Sequence, residues 1–150
     1  MSEVNEPAAA WPVRQYVFEI MAEHGRAPGE GEIAAALGLD AEATAAALDW
    51  LDDHHHLVLA ADRAVIMAHP FSNVETPFAV RSGGKEWWAN CAWDTFGILA
   101  ALDADGEIAG VYAEDGGASR IAVRGGKPEG EGVVHLLLPQ REWTEDFFET

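Results

Sequence analysis

Cys91 and Asp94 are the residues whose types and spacing best suit chemistry. The sequence predicts a helix beginning near Asn90, and with Asn90 as its N-cap Cys91 lies in the first turn. There, unpaired backbone N–H groups and the helix dipole favour a thiolate, which predicts a lowered pKa for the thiol. Asp94 follows three residues later and shares a helical face with Cys91, so the two side chains approach each other.

This pair favours one type of reaction. Two adjacent anions repel each other, so whichever group ionises second should have a raised pKa. A protonated carboxyl beside a soft nucleophile suits a reaction in which the thiolate binds a soft metal and the acid protonates the leaving group. The nearby aromatic residues would supply an apolar lining: Trp87, Trp88, Trp93 and Phe96. Spacing alone leaves a second interpretation open, because cysteine is often buried structurally and a carboxyl at i+3 arises by chance.

Composition argues against nucleic acids and membranes as partners. The 150 residues carry a formal charge of -17, and such a surface repels phosphate backbones and anionic lipid. One cysteine cannot form an internal disulfide. The sequence has no apolar run of about 20 residues, which a membrane helix needs. Its first residues also lack the basic segment followed by an apolar segment that is typical of a signal peptide, so a cytoplasmic location is expected.

The first part of the chain, residues 1–70, has the pattern of a small helical domain. Apolar spacing predicts a helix over residues 13–21 with a stop at Gly25, a second over 30–37, and a third over 41–53 with Asp40 as N-cap. Residues 57–59 and 64–67 read as a hairpin. Three helices and a hairpin are typical of a winged-helix domain, but the candidate recognition helix contains no Lys or Arg, so we expect no binding to DNA.

The second part, residues 71–150, is predicted to be an α+β core of short strands around one central helix. The expected strands are residues 77–80, 108–113, 119–123 and 133–138, and the expected helix spans 90–102.

The histidine run at residues 54–56 is interpreted as a polar helix end, because consecutive helical side chains diverge by about 100° and do not converge on one metal ion. His69, at the junction of the two parts, is either structural or orients a loop near the site, and the structural interpretation is favoured for both His69 and His135.

Three segments resemble the signature segments of the alkylmercury lyase family. They are His69-Pro70-Phe71-Ser72, Thr76-Pro77-Phe78-Ala79-Val80 and Trp88-Ala89-Asn90-Cys91-Ala92-Trp93-Asp94-Thr95-Phe96-Gly97-Ile98. The resemblance covers residues 11–150 and implies that the first part is a winged-helix-like domain and the second a lyase-like core. It also implies that Cys91 attacks mercury as a thiolate, and that Asp94 protonates the carbon and then helps to hold the metal. An organomercurial R–Hg–X would become R–H and bound Hg(II) without a cofactor. Trp88, Trp93 and Phe71 are the expected walls of the substrate pocket.

The resemblance also implies a second cysteine, beyond a segment that residues 143–148 resemble, and the 150 residues do not contain it. Either the chain is truncated at its C-terminus or its chemistry differs. Three functions therefore stay open: a lyase, a non-catalytic protein that binds Hg, Cu or a small electrophile through the same fold, and an enzyme that uses Cys91 and Asp94 on another substrate. For the first, we expect transfer of the product to a mercuric reductase or to cellular thiols, with no nucleic acid and no membrane as partner.

Overall fold

The structure, a computed structural model, describes residues 6–136. The chain divides between Ala68 and His69 into two compact units. Four α-helices and eight β-strands lie within residues 6–136, which confirms the predicted α+β class. None of these helices is both long and apolar enough to cross a membrane.

The first unit contains three helices and a hairpin. The helices are α1 Ala10–His24, α2 Glu30–Leu37 and α3 Ala41–Asp53, and the hairpin strands are β1 Val58–Leu59 and β2 Val65–Ala68. Both α1 and α2 stop where a glycine, Gly25 or Gly38, adopts the left-handed conformation that residues with a Cβ disfavour. The predicted cap of α3 is confirmed, since Asp40 Oδ1 accepts a hydrogen bond of 2.7 Å from the Ala43 backbone N–H.

Apolar residues at helical spacing form the core of this unit. Val13, Val17 and Met21 of α1 are fully or almost fully buried, as are side chains of α2, α3 and the start of the hairpin: Ile33, Leu48, Leu51 and Leu57. Burial of such a stripe is what stabilises helices this short. The elements predicted for the first unit are therefore present, and their winged-helix arrangement stays a prediction.

The second unit is an antiparallel sheet with one helix. Its elements are β3 Phe71–Ser72, β4 Phe78–Ser82, β5 Lys85–Ala89, α4 Ala92–Ala101, β6 Gly106–Val111, β7 Ala118–Arg124 and β8 Lys127–Glu129. The strands lie in the order β3-β5-β4-β6-β7-β8. Two-residue turns of paired glycines, with positive φ at both positions, join β4 to β5 and β7 to β8. Such turns match the twist of antiparallel strands.

The sequence predicted three of these strands and missed three. The predictions at 77–80, 108–113 and 119–123 correspond to β4, β6 and β7. The short strands β3, β5 and β8 were not predicted, because none has a long alternating pattern. The strand predicted at 133–138 is wrong over residues 133–136, which have no regular structure, while 137–138 lie outside the described residues. Val133 is 93% exposed, so the described start of this apolar run is not packed into a core.

Helix α4 follows directly after β5 and packs on the sheet. Thr95, Ile98 and Leu99 are its buried residues, and the helix contacts β4, β5 and β6. Strand β5 is flanked by β3 and β4, so its end is fixed from both sides. The junction between β5 and α4 is therefore a rigid place from which to present a side chain.

Candidate active site

Cys91 lies at this junction, as the N-cap of α4. Its backbone is extended, with φ −142° and ψ 175°, and the helix begins at Ala92. The prediction that Asn90 is the N-cap is therefore wrong by one residue. The reason lies in the sheet: Ala89 pairs with both Phe71 and Phe78, and its carbonyl accepts a hydrogen bond from the Thr76 hydroxyl, so the extended backbone continues beyond the strand before turning.

The structure brings Cys91 and Asp94 together, as their spacing predicted. Cys91 Sγ lies 3.5 Å from Asp94 Oδ2, within the range of a thiol–carboxyl hydrogen bond. Cys91 is half-buried, and the Asp94 side chain is 15% exposed. A reactant arriving from solvent can reach both groups, while most of the water is kept away from the carboxyl.

The electrostatics of the thiol differ from the prediction. Burial raises the pKa of the Cys91 thiol above its ordinary value, and the charge of Asp94 raises it further. The backbone N–H groups of Asp94 and Trp93 favour the thiolate and offset part of the rise in this pKa. The predicted net lowering is therefore wrong: the helix N-terminus acts in the expected direction, but burial and the adjacent carboxylate outweigh it. The resting site holds its proton on sulfur.

His69 also lies in this site, although the sequence favoured a structural role over one in orienting a loop near the site. Its Nδ1 atom is 3.6 Å from Asp94 Oδ2, the same oxygen that contacts Cys91. Pro70, the next residue, packs against α4 at Gly97. The one sequence signal for this placement is that His69 opens the first of the three signature segments.

The three aromatic residues proposed as pocket walls lie in different environments. Trp88, in β5, is half-buried, and Trp93, in the first turn of α4, is 59% exposed. Phe71 is only 3% exposed and lies opposite Ala89 in the sheet. Trp93 can therefore contact a ligand directly, whereas Phe71 supports the strand that leads to Cys91.

Two cavities of about 430 and 300 Å³ lie in the second unit, and neither is lined by Cys91 or Asp94. The smaller one is lined by Ala92, Thr95 and Phe96 of α4, and Phe96 also lines the larger. These residues belong to a different face of the helix from Asp94. Cys91 and Asp94 are themselves partly exposed.

Within residues 6–136, no group of three or more His, Cys, Asp or Glu side chains is arranged to hold a metal ion. The histidine run at 54–56 behaves as a helix end, as predicted. His54 is the C-cap of α3, its ring stacks on Trp50 with centroids 4.1 Å apart, and its Nδ1 lies 2.8 Å from the Trp50 carbonyl oxygen.

Comparison with known proteins decides the family. The MerB family model, described as alkylmercury lyase, matches residues 71–148, which is more than half of the chain and includes both Cys91 and Asp94. The chain belongs to the alkylmercury lyase family. No curated protein sequence matches it.

A solved structure agrees with this membership. The crystal structure of the mercury-bound form of MerB2 superposes with a TM-score of 0.70 at 25% sequence identity. The match covers 83% of this chain and 60% of that chain, so the present chain spans well under the full length of this alkylmercury lyase relative. The predicted resemblance is confirmed, and with it a fold shared with a protein that binds mercury.

Proposed function

We propose that the chain cleaves the carbon–mercury bond of organomercurials by protonolysis, with Cys91 as the metal-binding thiolate and Asp94 as the proton donor. The observation that supports this most directly is the 3.5 Å distance between Cys91 Sγ and Asp94 Oδ2 at a helix N-terminus, in a chain of this family. The reaction needs a soft ligand for mercury and an acid close enough to protonate the carbon bonded to it, and the Cys91 thiol and the Asp94 carboxyl could fill these two roles.

The first step is capture of the metal. At rest the Cys91 thiol keeps its proton, because burial and Asp94 raise its pKa. When the mercury of R–Hg–X binds sulfur, X⁻ leaves and the thiol loses its proton, as metal binding to cysteine requires. Asp94 Oδ2 is the neighbouring acceptor, so the proton passes from sulfur to this carboxylate rather than to solvent.

The second step breaks the carbon–mercury bond. Asp94 gives the proton to the carbon, the electron pair of the C–Hg bond forms the new C–H bond, and R–H leaves. Mercury stays as Hg(II) on the Cys91 thiolate, with the Asp94 carboxylate as a secondary ligand. No cofactor enters either step, since proton and sulfur both come from the protein.

The aromatic residues would hold the organic group. Trp93 is 59% exposed in the same helical turn as Asp94, so it can cover an aryl or alkyl group bound at the sulfur. Trp88 precedes the site in β5 and would form a second wall, while Phe71 acts from within the sheet. An apolar surface next to the carboxyl would also keep water from competing for the metal.

The test is release of hydrocarbon. Phenylmercury is incubated with the protein and excess small-molecule thiol, and benzene is measured by gas chromatography. The added thiol offers the second sulfur that the family resemblance implies and that the 150 residues do not contain. We expect benzene from the unchanged chain and none above background from Cys91→Ser, with Asp94→Asn losing release but still binding mercury.

Absence of benzene release would favour the second hypothesis, a non-catalytic metal-binding protein, over a lyase. If the unchanged chain binds Hg(II) one to one but releases no more benzene than Cys91→Ser, it is a soft-metal binding protein with a lyase fold. For an active enzyme, we propose that product passes to cellular thiols or a mercuric reductase in the cytoplasm. Ligand exchange onto a dithiol removes mercury from a single thiolate readily.

A further inference from the structure

One oxygen atom of Asp94 lies between two other side chains of the second unit. Asp94 Oδ2 is 3.5 Å from Cys91 Sγ and 3.6 Å from His69 Nδ1. The Asp94 side chain is 15% exposed and the His69 side chain 44% exposed, so the carboxyl is the more buried of the two groups. Contacts on both sides restrict the rotamers that the carboxyl can adopt.

The backbone beside His69 is fixed to both the helix and the sheet. Pro70 packs so closely on α4 that a Cβ at Gly97 would lie 3.1 Å from Pro70 Cβ. Phe71 is buried and pairs with Ala89 at the end of β5. These two contacts hold His69 beside the first turn of α4, so its position is set by the fold and not by the ligand.

We propose that His69 is a positioning residue for Asp94, which keeps Oδ2 directed toward the sulfur of Cys91. The proposal rests on the proposed function, because it assigns His69 to the proton-donating step. Within residues 6–136, neither Lys nor Arg forms an ion pair with Asp94, since the arginines that make such pairs have Glu32, Asp49, Glu86 and Glu107 as partners. His69 is therefore the basic side chain placed to orient this carboxyl.

Loss of His69 should affect turnover more than binding. A displacement of about 1 Å in a reacting group can cost up to about 100-fold in rate. We expect His69→Ala to lower kcat for phenylmercury about tenfold and to change KM less than about twofold. His69→Asn should recover most of kcat, because its amide nitrogen takes the place of imidazole Nδ1. His24→Ala, a similarly exposed histidine at the end of α1, is the matched control and should leave both constants unchanged.

A second readout does not depend on lyase activity. Cys91 is the one cysteine of the sequence, so its alkylation by iodoacetamide reports this site alone. If His69 holds Asp94 against the sulfur, His69→Ala should shift the pH profile of alkylation toward lower pH, in the direction given by Asp94→Asn. The same His69→Ala change made in the Asp94→Asn background should have no further effect, because the two residues act as a unit.

These measurements distinguish failure of this proposal from failure of the proposed function. If the unchanged chain releases no benzene, the lyase proposal fails and the alkylation profiles alone decide the role of His69. Identical profiles for the unchanged chain and His69→Ala would overturn the positioning role. An equal shift with and without the Asp94 carboxyl would overturn it as well, because His69 would then act on Cys91 without Asp94.

Discussion

Gly106 opens β6 at the point where β4, β6 and α4 meet, and a single methyl group there should destabilise the second unit. A Cβ at this position would lie 2.6 Å from the Arg81 carbonyl oxygen and 2.7 Å from Leu99 Cδ2. Carbon atoms in contact normally lie about 3.5 to 4.0 Å apart, so Leu99 would have to retreat by about 1 Å. The Arg81 carbonyl belongs to the backbone of β4 and cannot move aside, whereas the buried Leu99 side chain can shift only toward the larger cavity, which it lines.

The expected cost of Gly106→Ala follows from this crowding. Overpacking in a well-filled core costs about 1 to 3 kcal/mol of unfolding free energy, and for a chain of this length each kcal/mol lowers Tm by about 2 to 4 °C. Because Leu99 belongs to α4, the strain reaches the helix that carries Asp94, and phenylmercury turnover should fall as well.

Calorimetry and urea unfolding measure this cost, and Gly31→Ala is the matched control. Gly31 lies inside α2 with nothing within 4 Å of its added Cβ, and its φ is not positive. The same substitution there should stabilise the chain by about 0.5 to 1 kcal/mol, because alanine loses less backbone entropy in a helix than glycine does. If Gly106→Ala unfolds within about 0.5 kcal/mol of the unchanged chain, the close contact of β4, β6 and α4 at this position is not real.

Two further predictions concern titration. Asp94→Asn removes the negative charge beside the sulfur, so the pKa of Cys91 should fall and iodoacetamide should alkylate it faster at neutral pH; an unchanged rate would mean that burial alone controls the thiol. Burial, with Arg14 nearby, lowers the pKa of His56 in the folded chain, so the unfolded chain takes up a proton first and stability should fall as pH drops below about 6.5. In urea unfolding between pH 7.5 and 5.5, the unfolding free energy of His56→Gln should therefore fall less than that of the unchanged chain. An identical fall in both chains would contradict the role assigned to His56.

The first unit shows how well local signals specify helices. Asp40 at the start of α3, and Gly25 and Gly38 after α1 and α2, each act within one turn of backbone, so their effect can be read from a few neighbouring residues. The strands were harder to predict because their partners are distant in sequence. The pairing of Phe71 with Ala89 makes β3 a strand, and no pattern within two residues can reveal such a partner.

The same distinction between local and distant contacts explains which residues of the candidate site could be predicted from the sequence and which could not. Cys91 is the N-cap of α4 and Asp94 follows three residues later in its first turn, so the local geometry of the helix start brings them together. His69 reaches the same oxygen only because Pro70 and Phe71 attach its segment to α4 and β5. The direction of the Cys91 pKa also depends on burial by the folded chain, whereas the helix dipole that favours the thiolate is visible in the sequence.

Under the proposed function, a raised thiol pKa suits a site that has to distinguish mercury from other electrophiles. Alkylating agents and oxidants react with the thiolate, so a thiol that keeps its proton is protected from most of them. A soft metal binds sulfur strongly enough to displace that proton, and Asp94 lies 3.5 Å away to receive it. A fully ionised cysteine would already have lost its proton to solvent, and the carboxylate would have to obtain one from elsewhere. In the proposed reaction, burial of Cys91 thus links metal capture to the supply of the proton that the carbon needs.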